Sequence, residues 1–199
     1  MNYLNAIRKV KELYYKVISQ TFYKHSFASF GKESRIIKPL KIRNAQKIMI
    51  GRKVSINDYA FLMVVDGSEK KEGKLIIEDG TDIGHFNHIV CLDEVRIGKN
   101  VLTADHVFIT DNNHTYTDLS LPISKQGVYS KGSTIIGDET WIGENACIIS
   151  AKIGRHCVIG SNSVVTSDVP DYSVVTGIPA VIVKQYNPET RKWERKENG

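Results

Sequence analysis

Residues 135–169 read IIGDETWIGENACIISAKIGRHCVIGSNSVVTSDV, and an aliphatic residue followed by glycine returns in this stretch about every six residues. The pairs are Ile136-Gly137, Ile142-Gly143, Ile153-Gly154 and Ile159-Gly160, and a small or branched residue follows four places after each isoleucine: Thr140, Ala146, Cys157 and Ser163. A six-residue period matches neither an α-helix nor an alternating strand. It predicts a parallel β-helix built from hexapeptides.

The same period extends back to about Ile50 and ends near Val169. One hexad cannot bury its aliphatic residue alone, so three hexads form a triangular coil and the coils stack on one another. We predict about five coils with these inward positions: 50, 56, 62; 77, 83, 89; 97, 103, 109; 136, 142, 148; and 153, 159, 165. The recurrent glycine fits a corner where a side chain would crowd the backbone, or where φ is unusual.

Two stretches interrupt the repeat. Residues 66–74 (DGSEKKEGK) and 114–134 (HTYTDLSLPISKQGVYSKGST) are polar and predict loops that leave the coils at a corner. Long loops on a rigid scaffold commonly carry function. We expect three regions: an amphipathic helical segment over 1–30, the β-helix domain over 31–185, and a basic C-terminal segment over 186–199 that forms a short helix or a frayed tail.

The N-terminal segment has apolar residues at helical spacing over residues 3–24, namely Tyr3, Ile7, Val10, Tyr14 and Val17. Lysine and arginine fill the other faces. The pattern favours a helix that packs on the prism or on a neighbouring subunit. The alternative is a basic amphipathic helix that rests on anionic lipid, which is a peripheral membrane contact.

Charge and composition bear on the binding partner, the cellular location and the state of the cysteines. The net charge of +5 is concentrated in residues 8–53 and after Lys184, which suits an anionic coenzyme or a membrane surface; no aromatic-basic motif indicates nucleic acid. No apolar run is long enough to cross a membrane and no signal peptide is visible, so we expect a cytoplasmic protein. Three cysteines without CxxC spacing predict buried thiols.

Among the histidines in or beside the coils, His114 stands where the regular hexads stop and the long loop begins. If the hexads that start at 89 and 109 stack, Glu94 lies one coil below His114, with Asp93 beside it. A carboxylate there would hold the imidazole tautomer and raise its basicity. We expect His85, His88 and His106 to be solvated corner residues, and Asp111, Asn112 and Asn113 to form turns.

Three segments resemble one protein family: ITDNNH (109–114), IIGDETWIGENACI (135–148) and VIGSNSVVTSDVPDYSVVTGIPAVIVK (158–184). The chain is similar to the hexapeptide-repeat acyltransferases, in particular galactoside, maltose and bacterial polysaccharide O-acetyltransferases, over roughly residues 30–185. The resemblance implies an all-β, left-handed parallel β-helix, although right-handed crossovers are usual. It also implies a homotrimer, with acetyl-CoA as acyl donor, no metal, and active sites between subunits.

The resemblance also implies roles for particular residues. His114 matches the catalytic histidine, the general base that takes the proton of the acceptor hydroxyl. Positions that match the coenzyme wall are Trp141, Gly143, Ser161 and Thr166, with Lys184 available for phosphate; Ser167 and Val181 stand where the family often has Lys and Arg. Asn87 and Asp93 fall near positions that contact the acceptor.

Other functions remain open on the sequence. N-acetylation of an amino-sugar nucleotide or an antibiotic would use the same base. A hydratase of the carbonic anhydrase type would need three converging histidines, and the spacing of His85, His88, His106 and His114 lacks its pattern. A non-catalytic scaffold would only display loops. The acceptor would be chosen by the loop 114–134 together with the face around Asn87, and Pro122, Tyr129 and Lys131 are candidates to line that site.

Overall fold

The protein is a three-sided prism of stacked coils with one helix at its N-terminal end. The computed structural model describes residues 3–66 and 72–196. Helix α1 spans Tyr3–Thr21. Short 3-10 turns follow at Tyr23–His25, Ala45–Lys47 and Ile123–Lys125. Each side of the prism is a parallel sheet, and the strand order in each sheet shows that consecutive strands of the chain pass from one side to the next.

We call the three sides face A, face B and face C. Face A contains β1 (Ser29–Phe30), β4 (Ile48–Ile50), β7 (Lys74–Ile77), β10 (Glu94–Ile97), β15 (Thr134–Ile136) and β18 (Lys152–Ile153). Face B contains β2 (Arg35–Ile36), β5 (Ser55–Ile56), β8 (Asp82–Ile83), β11 (Leu102–Thr103), β16 (Trp141–Ile142) and β19 (Val158–Ile159). Face C contains β3 (Lys41–Arg43), β6 (Phe61–Val64), β9 (His88–Cys91), β12 (Phe108–Thr110), β17 (Cys147–Ile149) and β20 (Val164–Val165).

The register of the sheets confirms the stacking read from the six-residue period. On face A, Ile77 pairs with Ile50 and with Ile97, and Ile136 pairs with Ile97 and with Ile153. Faces B and C stack in the same way at the predicted positions. These inward side chains are almost completely buried and form one continuous core. The predicted small positions are buried as well, including Ala146, Cys157 and Ser163.

The predicted number of coils is one too low. Strands β1, β2 and β3 form a first coil before Ile50, so faces A and C each hold six strands. Phe30, Ile36 and Ile42 carry the six-residue spacing in this coil. The period is harder to see there because Phe30 replaces the usual aliphatic residue and only that position is followed by glycine. The coils therefore begin at Ser29, inside the segment predicted to be helical.

The recurrent glycines are required by close approach of the next coil, and not by φ. A Cβ atom on Gly143 would lie 2.6 Å from the backbone nitrogen of Ser161, and one on Gly98 would lie 2.9 Å from the backbone nitrogen of Asp138. Neither glycine has a positive φ. The left-handed positions are instead taken by other corner residues, such as Tyr59, Phe86 and Asn145.

As far as residue 196, where the described residues end, the C-terminal segment is a β-structure, which corrects the predicted short helix or tail. Strand β21 (Ser173–Gly177) adds to face B, and β22 (Ala180–Asn187) and β23 (Lys192–Arg195) extend it in antiparallel order. Pairing with the last coil explains the difference, because that sheet edge offers unpaired backbone groups that a strand can satisfy. The predicted boundary at residue 185 therefore falls inside β22.

Of the two predicted loops, the longer one contains an antiparallel hairpin of β13 (Asn112–His114) and β14 (Val128–Ser130). We call residues 112–133 the arm. The shorter loop, predicted over 66–74, includes residues 67–71, which lie outside the described residues; its last residue, Lys74, begins β7.

Candidate active site

The arm leaves the prism at the corner between face C and face A. We call this the C–A corner; its successive levels include residues 92–93, the arm, residues 150–151 and residues 166–168. His114 is exposed and pairs with Val128 across the hairpin. The arm begins at Asn112, two residues before His114, so the histidine belongs to the arm and not to the last position of the coil.

Asp111 secures the point from which the arm departs. Its side chain is fully buried. Its carboxylate accepts hydrogen bonds from the backbone nitrogens of Leu92, Asp93 and Glu94, at 2.7, 2.7 and 2.8 Å. The prediction that Asp111 is a turn residue understates this role, because the carboxylate ties two coils together. Buried carboxylates are tolerated when several N–H groups compensate the lost hydration.

A second set of bonds fixes the other side of the corner. The carbonyl oxygen of Thr110 accepts from the Thr134 hydroxyl at 2.7 Å and from the Ser150 backbone nitrogen at 2.9 Å. Thr134 is the residue at which the chain returns to face A. The two ends of the arm are therefore held at adjacent positions of the same corner.

A cavity of about 370 Å³ lies beside His114. It is lined by Asn113, His114, Tyr116, Tyr129, Lys131, Ile149, Ser150 and Thr166. Tyr129 and Lys131, considered from the sequence as lining residues, are therefore present, whereas Pro122 precedes the 3-10 turn at Ile123–Lys125. The cavity combines an imidazole, a cation, two phenols and hydroxyl groups, which can donate and accept protons around a polar substrate.

Ser150 is a cavity residue that the sequence reading did not select. Its hydroxyl is buried and has no hydrogen-bond partner among the described residues, and its backbone is left-handed with φ of 49°. The signal in the sequence was the step from Ile148 to Ile153, which is one residue short of the period. That short step forces a tight corner at this level.

The residues expected to line the coenzyme wall lie in three different places of one chain. Thr166 shares the cavity with His114. Trp141 is half exposed on face B, and Gly143 and Ser161 lie at the corner between faces B and C, which we call the B–C corner. Lys184 lies in β22 and pairs with Arg195 of β23. A single chain therefore brings only Thr166 to His114.

Asn87, predicted near the acceptor, does not line the cavity beside His114 of the same chain. It is fully buried at the B–C corner, and its side-chain nitrogen donates to the Ala104 carbonyl oxygen at 2.9 Å. Packing of one coil on the next explains this position. Asp93, in contrast, is half-buried at the C–A corner, one coil before the arm.

Glu94 does not pair with His114 as the stacking argument predicted. Hexads 89 and 109 do stack, because Ile109 pairs with Ile89. Glu94 begins β10 on face A, where its carboxylate forms ion pairs with Lys74 and Arg96, both at 3.5 Å. The arm carries His114 out of the coil, whereas the chain at Glu94 turns directly into the next face.

The other three histidines considered from the sequence, His85, His88 and His106, lie at the B–C corner and on face C. His85 lies 3.7 Å from the Asp58 carboxylate, and His106 stacks on Phe86 with 4.8 Å between ring centroids. Burial lowers the pKa of His88, which stands between Phe61 and Phe108 on face C. Within residues 3–66 and 72–196, no three His, Cys, Asp or Glu side chains converge as metal ligands.

Comparison with known proteins identifies the family. A family model described as the hexapeptide repeat of succinyl-transferase matches residues 133–167. The Escherichia coli K12 protein WbbJ, named for O-acetyl transfer in lipopolysaccharide biosynthesis, is 33% identical over 174 residues, which cover 83% of this chain and 86% of that protein. The chain belongs to the hexapeptide-repeat acyltransferase family.

Other comparisons agree with this assignment. The galactoside O-acetyltransferase of E. coli K12 is 26% identical, over 89% of this chain and 73% of that protein. The crystal structure of AntD, an N-acyltransferase from Bacillus cereus in complex with dTDP and 3-hydroxybutyryl-CoA, has a TM-score of 0.70 at 20% identity and covers 86% of this chain and 90% of that one. The predicted fold class, a left-handed parallel β-helix, and the predicted enzyme class, an acyltransferase, are confirmed.

In this acyltransferase, the two positions at which the sequence lacks the basic residue often found in the family, Ser167 and Val181, lie near the C-terminal end. Ser167 is exposed after β20, and Val181 is half exposed in β22. Lys184 follows in the same strand, and Arg195 lies opposite it in β23. The sequence does not reveal this pairing of two cations, because it depends on the antiparallel pairing of β22 with β23.

Described residues include no helix with both the length and the apolar character that a membrane crossing needs.

Proposed function

We propose that this acyltransferase transfers the acetyl group of acetyl-CoA to a hydroxyl group of a sugar or of a surface-polysaccharide precursor, with His114 as general base. The observation that carries the proposal is the position of His114: an exposed imidazole beside a polar cavity, in a chain of this family. The names of the relatives support an O-linked acceptor, since they specify lipopolysaccharide biosynthesis and galactoside O-acetylation.

In the proposed reaction, His114 removes the proton of the acceptor hydroxyl while that oxygen attacks the thioester carbonyl carbon. The tetrahedral adduct then collapses, the carbon–sulfur bond breaks, and the imidazolium returns its proton to the departing thiolate. The unpartnered Ser150 hydroxyl and the Lys131 ammonium group line the same cavity and are the nearby side-chain donors for the oxyanion.

We propose that the coenzyme site is completed by two subunits of a homotrimer. Thr166 lies with His114, whereas Trp141, Gly143 and Ser161 lie on face B and at the B–C corner. A neighbouring copy that presents its face B to this C–A corner would bring the two groups together. Lys184, supported by Arg195, would meet a coenzyme phosphate at the C-terminal end of that face.

For the acceptor, we retain Asp93 and the arm. Asp93 lies at the C–A corner, one coil before His114, and its backbone is fixed by Asp111. Tyr116, Tyr129 and Lys131 of the arm line the cavity from the other side. We place the enzyme in the cytoplasm, peripheral to the inner face of the membrane, where acetyl-CoA and lipid-linked glycan precursors are both accessible.

The decisive experiment measures CoA released from acetyl-CoA by chromatography, with nucleotide sugars, free sugars and lipid-linked oligosaccharides as acceptors. We expect release only with a suitable hydroxylated acceptor, and loss of that release in His114→Ala. His156→Ala is the matched control, because His156 is also an exposed corner histidine but lies near Glu139 and away from the cavity. Turnover that persists in folded His114→Ala would refute the assignment of the base.

Two further measurements define the product and the assembly. An ester product is cleaved by hydroxylamine or mild alkali, whereas an amide resists both, and an amide would assign the chain to N-acetylation instead. Light scattering should give a mass of three chains of 22.4 kDa. A stable monomer with full activity would contradict a site shared between subunits.

A further inference from the structure

The apolar face of α1 points away from the prism. Six residues at helical spacing form this face, and each is between 50% and 78% exposed: Tyr3, Ile7, Val10, Leu13, Tyr14 and Val17. In most surface helices the apolar stripe packs on the core. The predicted helix is present, but polar residues such as Ser19 and Gln20 lie on the side that packs on the coils.

Polar contacts hold α1 in this orientation. The Ser19 hydroxyl accepts from the Ile36 backbone nitrogen at 2.9 Å, and the Gln20 amide donates to the carbonyl oxygens of Gly31 and Ser34. Nearer its N-terminus, Lys11 forms a 2.6 Å ion pair with Asp58, a largely buried residue at a corner of the second coil. The helix therefore covers the edge of the first coil, and rotation of its apolar face towards the core would break all of these bonds.

Charge is concentrated at the same end of the molecule. Residues 3–57, which comprise α1 and most of the first two coils, contain thirteen lysines and arginines and only two acidic residues, Glu12 and Glu33, for a net charge of +11. Since the whole chain carries +5, the other residues together carry −6. The prism is thus polarised, with its basic end where the apolar face of α1 is exposed.

We propose that α1 lies in the interfacial region of a membrane that contains anionic lipids, with its apolar face among the acyl chains and the basic end of the prism towards the headgroups. The combination of an exposed apolar face and flanking cations is that of an interfacial helix. Tyr3 and Tyr14 suit the boundary, since each has an apolar ring and a polar tip. Lys9, at the edge of the face, can extend its ammonium group to a lipid phosphate.

Charge favours lipid over a second copy as the occupant. If two copies packed symmetrically through α1, about a two-fold axis, each would bring Arg8, Lys9 and Lys16 towards the same residues of its partner, and like charges oppose that contact. Anionic headgroups are complementary to them. The lipid contact is independent of acetyl transfer, because the cavity at His114 lies on the arm and on coils far along the stack from α1.

Vesicle co-sedimentation tests the proposal. We would use vesicles of phosphatidylcholine alone and vesicles of phosphatidylcholine and phosphatidylglycerol in equal parts. Full-length protein should bind the anionic vesicles and not the neutral ones, and binding should fall steeply at about 1 M salt, where the Debye length is about 3 Å. Equal binding to both kinds of vesicle, or no binding to either, would overturn the proposal.

Matched variants locate the surface. Val10→Glu should weaken binding to the anionic vesicles at least about tenfold, because it replaces a buried apolar contact with a charge. Lys9→Glu should weaken it severalfold at low salt. Leu119→Glu is the control: Leu119 is 98% exposed, but lies on the arm. Equal loss of binding in Val10→Glu and Leu119→Glu would refute the assignment to α1.

Two controls separate this proposal from its rivals. If Val10→Glu changed the mass in light scattering and left vesicle binding intact, the face would be a contact between copies and the lipid assignment would fail. The melting temperature of each variant reports whether it is folded. Release of CoA with a soluble acceptor should be unchanged in Val10→Glu, so failure of acetyl transfer and failure of lipid binding are distinguishable.

Discussion

Removal of the Asp111 carboxylate should both destabilise the prism and misplace His114. This carboxylate is fully buried and accepts three backbone N–H groups from the preceding coil, at Leu92, Asp93 and Glu94. A corner aspartate with fewer such bonds serves for comparison. Asp138, for example, is exposed and accepts the backbone nitrogen of Lys99 at 2.8 Å. The pair Asp111→Ala and Asp138→Ala therefore compares a buried anchor with an exposed one of the same chemistry.

The magnitude follows from the number of donors left without a partner. A buried N–H group that loses its acceptor costs about 1–3 kcal/mol, and part of that is recovered if water enters the space. For three such groups we expect Asp111→Ala to lower the free energy of unfolding by about 3–5 kcal/mol, a large share of the about 5–15 kcal/mol typical of a domain. Asp138→Ala should cost only about 0.5–1 kcal/mol, since water can reach its donor.

An intermediate variant sharpens the comparison. In Asp111→Asn, the side-chain oxygen can keep the bonds from Asp93 and Glu94, but its NH2 group then faces the N–H of Leu92. A donor opposite a donor costs about 1–3 kcal/mol. We therefore expect the order of stability to be wild type, then Asp111→Asn, then Asp111→Ala.

Urea unfolding followed by circular dichroism measures these differences in the free energy of unfolding. A second probe that gives the same transition shows that the stacked coils unfold as one unit. Activity should fall as well, because a shift of about 1 Å in a catalytic group can reduce the rate about a hundredfold. We expect the fall in kcat to be larger than any change in the KM for acetyl-CoA. If Asp111→Ala and Asp138→Ala lost the same stability, the anchoring role of Asp111 would be wrong.

Two further predictions concern thiols and pH. Burial raises the pKa of the Cys91 and Cys157 thiols, whereas Cys147 is half-buried on the outer side of face C. DTNB should therefore label one thiol per native chain and three after unfolding. Cys147→Ser should abolish the native signal, and labelling of two or more native thiols would contradict the burial argument. Burial lowers the pKa of His88 below 6.5, so the unfolded chain takes up this proton first and stability should be lost as the pH falls below about 6.5. His88→Phe keeps a ring between Phe61 and Phe108 and should flatten the fall in melting temperature over that range, whereas an unchanged slope would count against His88.

The sequence predicted the coils well where burial is periodic and local. Each inward position from Ile50 to Val165 stacks on the neighbour expected from the six-residue spacing, even across the arm, because an aliphatic residue at that position has no other place to be buried. The first coil was missed, since Phe30 interrupts the aliphatic pattern. The C-terminal hairpin was missed because its partner is the edge of face B, which a local pattern does not report.

The candidate site was predictable only in part. Resemblance selected His114 and Thr166, and the structure brings them to one cavity. The carboxylate expected at Glu94 is instead on face A, Asn87 is inside a corner, and Ser150 was not selected. These outcomes depend on the residue at which the chain leaves a coil. A shift of that point by one residue turns a side chain from the inside of the prism to the outside, and the six-residue period does not fix it so closely.

By itself, then, the sequence determined the prism, its register and the family, because a six-residue burial pattern is repeated along the chain and can be read one hexad at a time. Only the tertiary structure decided what Asp111 does and which way α1 faces. Both are set by bonds between residues distant in sequence, from the Asp111 carboxylate to the backbone at 92–94 and from Ser19 and Gln20 to the edge of the first coil. Such bonds form only once the coils are stacked, so they leave no periodic signal in the sequence.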